Sequence, residues 1–284
     1  MNVMADLPRY EVTTEDIEYL RIGDVPLLAR LYRPRGDGPF PAVVGVHGGA
    51  WTGGDRLNNA LLDQAVAAAG VVVLALDFRL APQWRYPAPV ADINFGVRWL
   101  KANASRLGSR AAWVGAVASS SGGHQMLLNA LRPGDPRYAA LALPGHEDVD
   151  AAIAYAVACW PIADPLARYR MAQARGVDRL AASHDAFFGD EATMAEGNPQ
   201  MILERREAVR LPPLLVLQGT NDDNVTPEMA EKFVIAWRAA GGRAVYETFE
   251  GMPHAFITRE PEAAASRRAV RLVIDFVRSL GSSA

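Results

Sequence analysis

The sequence has few residues of the kinds that build cross-linked or polyanion-binding proteins. Cys159 is the only cysteine among 284 residues, which excludes an internal disulfide and a cysteine-based zinc site. Lys101 and Lys232 are the only lysines, and the 29 basic residues are balanced by 32 acidic ones without forming a basic stripe. We therefore expect no nucleic-acid partner, because binding to a phosphate backbone requires clustered positive charge.

Long apolar runs are also missing. The longest run, residues 151–163, is too short to span a bilayer and is interrupted by Pro161. The first residues do not combine a basic segment with an apolar core, as a signal peptide would. We therefore expect no membrane partner and a cytoplasmic location. The remaining composition, 50% hydrophobic and 21% charged, is typical of a globular protein.

What is present is an alternation of β-branched runs with helical patterns. Strands are predicted over residues 16–22, 27–32, 42–46, 71–76, 111–117, 152–158, 214–217 and 244–249. Helices are predicted over residues 59–69, 90–103, 122–131, 227–239 and 261–280. The first two strands form a hairpin, whereas the later apolar runs suit strands buried on both faces. The alternation predicts an α/β fold with a mostly parallel central sheet and flanking helices.

One segment interrupts this alternation. Residues 164–210 contain no predicted strand, only helix-like pieces over 165–174, 184–188 and 201–210. A helical insertion after the carboxyl end of a strand can cover a site that lies there. We therefore interpret about residues 161–211 as a helical cap, or lid, within a single domain that spans residues 1–284.

Three serines stand together at a predicted strand-to-helix junction, in the sequence A-S-S-S-G-G over residues 118–123. A sharp turn at such a junction lifts a serine hydroxyl above the sheet and requires small neighbours. The pattern G-x-S-x-G fits with Ser120 at its centre, since Ala118 replaces the first glycine by another small residue. Centring the pattern on Ser121 puts the bulkier Ser119 at that position, so Ser120 is favoured as the nucleophile.

The sequence H-G-G-A-W over residues 47–51 follows another predicted strand. Glycines at such a point allow backbone N–H groups to approach the negative charge that develops on a substrate oxygen. We predict an oxyanion hole formed by the N–H groups of Gly49, Ala50 and Ser121. His47 is interpreted as a residue that orients this loop rather than as a base.

Two further strand ends supply an acid and a base. Asp222 follows the seventh predicted strand, and its neighbour Asp223 is interpreted as a solvated loop acid. His254 lies in the loop after the eighth strand. The order serine, acid, histidine along the chain is the order found in α/β-hydrolases. Together these residues predict a catalytic triad of Ser120, His254 and Asp222, in which the acid orients the histidine and the histidine activates the serine.

These motifs, together with D-F-R-L-A-P over residues 77–82, resemble the hormone-sensitive-lipase-like esterases of the α/β-hydrolase fold. The resemblance covers about residues 15–280, and the kynurenine-formamidase-like and feruloyl-esterase-like enzymes share its H-G-G-x-W pattern. Where the family usually has G-D-S-A-G-G, this chain has A-S-S-S-G-G, and Ala50 replaces the third glycine of H-G-G-G. Neither departure removes a catalytic group.

The resemblance implies a serine hydrolase that cleaves carboxylic esters of small or medium acyl groups through an acyl-enzyme, with neither metal nor organic cofactor. Two alternatives stay open. The same triad serves a linear-amide hydrolase of the arylformamidase type, and a small-molecule-binding protein can keep this fold without the chemistry. The expected partner is a small-molecule ester or amide. Strand 244–249 and the final helix lie near the predicted sheet edge, where two copies can pair as a homodimer.

Bulky side chains near the predicted strand ends are candidates for the substrate pocket. These candidates are His47, Trp51, Trp160 and Phe256. Ordinary core or cap packing is the alternative role for the tryptophans. A cation that holds a substrate carboxylate would be one of Arg79, Arg168 and Arg170, and the sequence does not place these side chains.

Overall fold

Eight strands form one sheet in the computed structural model, which describes residues 10–281. In chain order they are β1 (Val12–Ile22), β2 (Val25–Pro34), β3 (Phe40–Val46), β4 (Val72–Leu76), β5 (Ser109–Ser119), β6 (Ala156–Cys159), β7 (Leu214–Gly219) and β8 (Ala244–Phe249). Their order across the sheet is β1-β2-β4-β3-β5-β6-β7-β8. The β1–β2 and β2–β4 pairs are antiparallel, and every pair from β4 to β8 is parallel. The predicted mostly parallel α/β sheet is confirmed.

Helices cover both faces of this sheet. In chain order the described helices are α1 (Ala60–Ala68), α2 (Ala88–Asn103), α3 (Ser120–Leu131), α4 (Pro165–Ala174), α5 (Asp178–Phe188), α6 (Glu191–Glu196), α7 (Pro199–Glu204), α8 (Pro227–Ala239), α9 (Phe256–Arg259) and α10 (Ala264–Leu280). Side chains of α2, α3 and α8 share one apolar core with the sheet, and those of α1, α9 and α10 share another. Within residues 10–281, no helix combines the length and the hydrophobicity that crossing a membrane requires.

The central strands are buried on both faces, as their unbroken apolar runs predict. All residues of β3 and β4 are buried. Successive side chains alternate between the two cores: Val44 lies in one core and Val43 in the other. Because side chains of a strand alternate between its faces, apolar residues at successive positions fill both layers at once.

Several predicted boundaries are corrected by the structure. Helix α3 begins at Ser120 rather than at residue 122, and β6 begins at Ala156 rather than at residue 152. The helix predicted over 201–210 is α7, which ends at Glu204. The backbone turns to a φ of 55° at Arg206, a left-handed conformation that a right-handed helix cannot continue through. Helix α5 begins at Asp178, six residues before its predicted start, and α6 was not predicted.

Four helices, α4 to α7, lie between β6 and β7, in the segment for which no strand was predicted. We refer to α4–α7 as the insertion. Apolar side chains of α4–α6 form a third cluster, in which Phe187, Phe188 and Met194 pack with Trp51 and other residues of the body. Ile202 and Leu203 of α7 instead belong to one core of the sheet. The insertion therefore packs over the loop that follows β3.

Candidate active site

The chain passes from β3 to β4 on one side of β3 and later places β5 on the other side. Where the strand order reverses in this way, a crevice opens beyond the carboxyl ends of the strands, and ligands of α/β proteins bind there. Val46 at the end of β3 pairs with Ala118 near the end of β5. This register brings the loop after Val46 against the serine motif.

The turn from β5 into α3 is sharp and tightly packed. Ser120 has a φ of 52°, which is uncommon for a residue with a side chain. A Cβ atom on Gly122 would lie 2.2 Å from the carbonyl oxygen of His47 and 2.5 Å from that of Val46. Only glycine fits at this position, because α3 starts directly against the end of β3. The motif needs small residues because α3 is in close contact with the end of β3.

The three adjacent serines have different hydrogen-bond partners. The Ser120 Oγ lies 3.0 Å from His254 Nε2. The Ser121 Oγ accepts a hydrogen bond from the backbone N–H of Trp51 at 3.2 Å, and the Ser119 Oγ donates to Asn59 Oδ1 at 3.2 Å. Of the three hydroxyls, that of Ser120 reaches the histidine. Ser119 stands where the resembling family has an acid, and its hydroxyl still ties the turn to the segment before α1.

Asp222 holds the other side of the histidine. The His254 Nδ1–H donates to Asp222 Oδ2 at 2.8 Å. The same carboxylate accepts three further hydrogen bonds, from the N–H groups of Asn224 and Val225 at 2.9 Å and from Gln218 Nε2 at 3.0 Å. Asp222 is buried, whereas Asp223 is exposed. Because Nδ1 carries the hydrogen, Nε2 is left as the acceptor that faces Ser120.

The loop after β3 holds an unusual backbone conformation. Gly49 has a φ of 121°, and a Cβ there would lie 1.9 Å from the carbonyl oxygen of Gly53. Ala50 and Trp51 follow with φ values of 53° and 63°. The Trp51 N–H bond to Ser121 Oγ fixes this loop against the start of α3, whose first N–H groups have no partner within the helix. The loop and the helix start therefore lie side by side.

Backbone strain is concentrated at this end of the sheet. Within residues 10–281, six non-glycine residues have a positive φ, and five of them lie in this region: Ala50, Trp51, Ser120, Trp160 and Ala255. Each such conformation costs of order 1 kcal/mol or more and persists only where the surroundings enforce it. Strain of this kind clusters at functional sites.

His47 lies behind the loop. Its Nδ1–H donates to the carbonyl oxygen of Gly48 at 2.6 Å, and its ring stacks on Phe78 with centroids 4.2 Å apart. Burial lowers the pKa of His47, which favours the neutral ring. These contacts match the predicted orienting role.

A cavity of about 320 Å³ lies over Ser120 and His254. The body contributes the loop residues Gly49 and Ala50 and the side chain of Trp160, while the insertion contributes Arg168, Arg179 and Leu180. The cavity is therefore lined by two separate parts of the chain.

One of the four predicted pocket residues, Trp160, lines this cavity. Contrary to the sequence expectation, His47, Trp51 and Phe256 do not. Trp51 and Phe256 are 1% and 0% exposed, and their rings pack against other aromatic rings: Trp51 stacks on Phe187 at 5.2 Å, and Phe256 contacts Trp160 at 5.1 Å. These side chains support the walls of the cavity from behind.

Two histidines that have no role in the sequence-based prediction lie beside Trp51. The Trp51 Nε1–H donates to His124 Nδ1 at 3.1 Å, and His124 Nε2–H donates to the carbonyl oxygen of Gly197 at 2.7 Å. The His184 ring lies 4.9 Å from that of Trp51. Burial lowers the pKa of His124 to about 4, and burial together with the Arg168 charge lowers that of His184 to about 3. Both rings are neutral at pH 7. Neither histidine follows a strand, so no signal in the spacing identifies them.

The fold and the arrangement of these side chains place the chain among proteins of the α/β-hydrolase fold. It belongs to the BD-FAE family, whose model matches residues 30–236. The esterase LipC of Mycobacterium tuberculosis is 30% identical over 226 residues, which cover 77% of this chain and 53% of LipC. The chain spans about half the length of the curated relatives it matches first.

Solved structures share the fold. The Pyrobaculum calidifontis esterase matches with a TM-score of 0.76 at 24% identity, over 99% of this chain and 88% of that one. Thermogutta terrifontis esterase 2 phosphorylated by paraoxon matches with a TM-score of 0.74 at 21% identity, over 97% and 96% of the two chains. The sequence resemblance to esterases of the α/β-hydrolase fold is confirmed at the level of family and fold.

Proposed function

We propose that the protein is a serine hydrolase that cleaves carboxylic esters of small or medium acyl groups. The observation that carries the proposal is the pair of hydrogen bonds that joins Ser120, His254 and Asp222 at the floor of a cavity. LipC is named an esterase, and the Thermogutta protein is described as phosphorylated by paraoxon. Both names agree with a reactive serine in proteins of this fold.

In the proposed reaction, His254 Nε2 takes the proton of Ser120 Oγ while this oxygen attacks the ester carbonyl carbon. Asp222 stabilises the imidazolium that forms, since it already accepts the Nδ1–H bond. His254 then gives the proton to the leaving alcohol, which leaves an acyl-enzyme on Ser120. Water, deprotonated by the same histidine, attacks the acyl carbon. The bond to Ser120 Oγ then breaks, His254 returns the proton to this oxygen, and the acid is released.

The backbone supplies the proposed oxyanion hole. The N–H groups of Gly49, Ala50 and Ser121 belong to the strained loop and to the start of α3, which meet beside Ser120. Donors held by strain need no reorganisation when charge develops on the substrate oxygen. Replacing the third glycine of the family by Ala50 preserves the N–H group and a positive φ of 53°.

The cavity volume sets the expected substrate size. At about 320 Å³ it lies near the lower end of the roughly 300–1,000 Å³ common for ligand pockets. We infer that the insertion acts as a cap over this cavity, since Leu180 and two arginines from it form part of the wall. Small or medium acyl groups fit this space better than long chains do.

The test is labelling with a fluorophosphonate, read by intact mass and peptide mapping. One adduct on Ser120 is expected. Ser120→Ala should abolish labelling and lower kcat/KM for a p-nitrophenyl ester by about 10⁴-fold or more. Ser119→Ala is the matched control from the same motif, and it should keep the label and most of the activity. A folded protein that takes no label would contradict the proposal and favour a binding protein.

A substrate panel separates the two hydrolase classes. Short-chain p-nitrophenyl esters are compared with formanilides of similar size. The amide nitrogen must be protonated by His254 before it leaves, so esters are expected to react faster. Faster formanilide turnover would favour the linear-amide alternative while keeping the same residues.

Two further predictions carry over from the sequence. Strand β8 is an outer strand of the sheet and exposes 45% of Val245, so a homodimer formed through this edge stays a prediction. The cytoplasmic location also stays a prediction.

A further inference from the structure

One wall of the cavity contains a buried arginine. Arg168, on α4, lines the cavity that contains Ser120 and His254, although only 1% of the residue is exposed. The other two arginines considered for a substrate carboxylate are occupied elsewhere. Arg79 pairs with the buried Asp92 at 2.7 Å, and Arg170 pairs with Glu191 at 2.6 Å on the surface.

The described partners of Arg168 are uncharged. Its Nε–H donates to the backbone and side-chain oxygens of Asn224 at 3.1 Å, and one Nη2–H donates to the same side chain. One Nη1–H donates to His184 Nε2 at 3.4 Å. His184 accepts this bond because its Nδ1 carries the hydrogen donated to the carbonyl oxygen of Leu180. The guanidinium has five N–H groups, so these contacts leave one on each Nη atom.

Burying a guanidinium without a carboxylate partner costs free energy. Charged groups in protein interiors are normally paired, because an unpaired charge loses most of its hydration. Burial accordingly lowers the pKa of Arg168 to about 10, and the charge of Asp222 offsets this only in part. The guanidinium also lies over the Trp51 ring, 5.9 Å from its centroid, which holds it in place. The side chain is therefore fixed, charged and incompletely satisfied at the wall of the cavity.

We propose that Arg168 forms a carboxylate-binding subsite, so that the substrate carries a carboxylate in addition to the ester that is cleaved. This rests on the proposed hydrolase function. A planar guanidinium with a free N–H on each terminal nitrogen matches the two oxygens of a carboxylate. Arg179 lines the same cavity from α5 and adds positive charge at its exposed side. The substrate class is a short ester with one anionic end, such as a monoester of a dicarboxylic acid.

The experiment compares two substrates that differ by one charge. They are p-nitrophenyl hydrogen glutarate and the corresponding diester in which the distal carboxylate is methylated. A second pair, O-acetyl lactate and its methyl ester, places the charge on the alcohol half. The wild-type protein is expected to prefer the charged member of at least one pair by roughly 10- to 100-fold in kcat/KM, the range for a hydrogen bond to a charged group.

Arg168→Met should abolish this preference by raising KM for the charged ester, while turnover of the neutral ester changes by no more than a few fold. Arg168→Lys keeps the charge and should retain part of the preference. Arg170→Met, on the same helix but on the surface, is the matched control and should behave as the wild type does. Circular dichroism and fluorophosphonate labelling establish that each variant is folded and has a reactive serine.

Two results would overturn the subsite. One is a wild-type protein that shows no preference in either pair. The other is an Arg168→Met variant that loses charged and neutral turnover equally, since that is the behaviour of an arginine that only packs the insertion onto the body. If the wild type cleaves no ester, the proposed hydrolase function is wrong, but the carboxylate-binding subsite can still be tested. The test is then calorimetric measurement of glutarate binding. Binding that weakens at least tenfold in Arg168→Met supports it, and no binding to the wild type contradicts it.

Discussion

The carboxyl end of the sheet and the insertion both line the cavity, but their polar side chains are arranged differently. At the sheet end, Ser120 directly follows β5 and His254 lies in the loop after β8, and the parallel strands bring these carboxyl ends to one edge of the sheet. In the insertion, His184 and Arg168 lie on helices and meet the body through contacts with Trp51. Strand pairing positions the first group, and side-chain contacts between helices and loops position the second.

The two regions also differ in how polar groups are satisfied. Asp222 accepts four hydrogen bonds and faces a histidine. In the insertion, the buried His184 ring is neutral, and Arg168 has no carboxylate among the partners described above. A carboxylate that accepts four hydrogen bonds suits fixed catalytic geometry, whereas a buried cation without a carboxylate partner suits a surface that a ligand completes. Three further predictions test this difference, from the largest expected effect to the smallest.

The largest effect is expected at the sheet end. Asp222→Asn keeps the shape of the side chain but removes the charge and favours the wrong histidine tautomer, so kcat should fall by about 10⁴-fold. Fold stability should change far less than activity. Asp223→Asn is the matched control, because Asp223 is exposed and should leave kcat unchanged. Equal losses in both variants would mean that the loop, and not the carboxylate beside His254, supports activity.

Acid should loosen the contacts between the insertion and the body before it affects the strands. His184 lies on α5, and His124 on α3 donates to the carbonyl oxygen of Gly197 in the insertion. The pKa values of His124 and His184 are lowered from about 6.5 to about 4 and about 3, so their neutral forms stabilise the folded protein. This stabilisation is complete above pH 6.5. It is lost as the pH falls towards 4, by about 1.4 kcal/mol per pH unit for each ring.

The measurement is hydrogen exchange of peptides from α4–α7 and from β3–β5 at pH 7.5 and pH 5, corrected for intrinsic rates. Protection should fall in the insertion and persist in the strands. An equal fall in both regions would show that the insertion and the sheet open as one unit.

A smaller effect of opposite sign is expected at Asp63, on α1 against the sheet. Burial raises the pKa of Asp63 to about 8, and its Oδ2 has no partner within residues 10–281. The protonated acid is therefore favoured in the folded state. Below pH 3.8 the carboxyl is protonated in both the folded and the unfolded state, so its ionisation does not affect stability. The free energy of unfolding falls as the pH rises from 3.8 to about 8.

Asp63→Asn cannot ionise, so it should be more stable than the wild type at pH 8 and nearly equal at pH 4, as measured by urea unfolding. Asp275→Asn, an exposed carboxylate that pairs with Arg271 on α10, is the control and should show little dependence on pH. A variant that is less stable at both pH values would mean that the Asp63 carboxyl has a hydrogen-bond role instead.

Much of the sheet end was predictable from local patterns. The sequence favours Ser120 over Ser121 because the turn needs small neighbours. The structure gives the reason, since Gly122 lies directly against the end of β3 and leaves no room for a side chain. Asp222 was preferred over Asp223, and the structure buries the first and exposes the second. The residues that line the pocket could not be predicted as well. His47, Trp51 and Phe256 all lie near strand ends, but proximity to a strand end does not determine the direction in which a ring points.

The sequence alone determined the α/β fold and the approximate meeting of Ser120, Asp222 and His254. Buried parallel strands have a readable apolar pattern, and their carboxyl ends necessarily lie at one edge of the sheet. Tertiary structure decided the surroundings of Trp51 and the place of Arg168. The Trp51–His124 and Arg168–Asn224 contacts join residues 73 and 56 positions apart. No strand register sets such contacts, because they arise only when helices pack and side chains compete for the same volume.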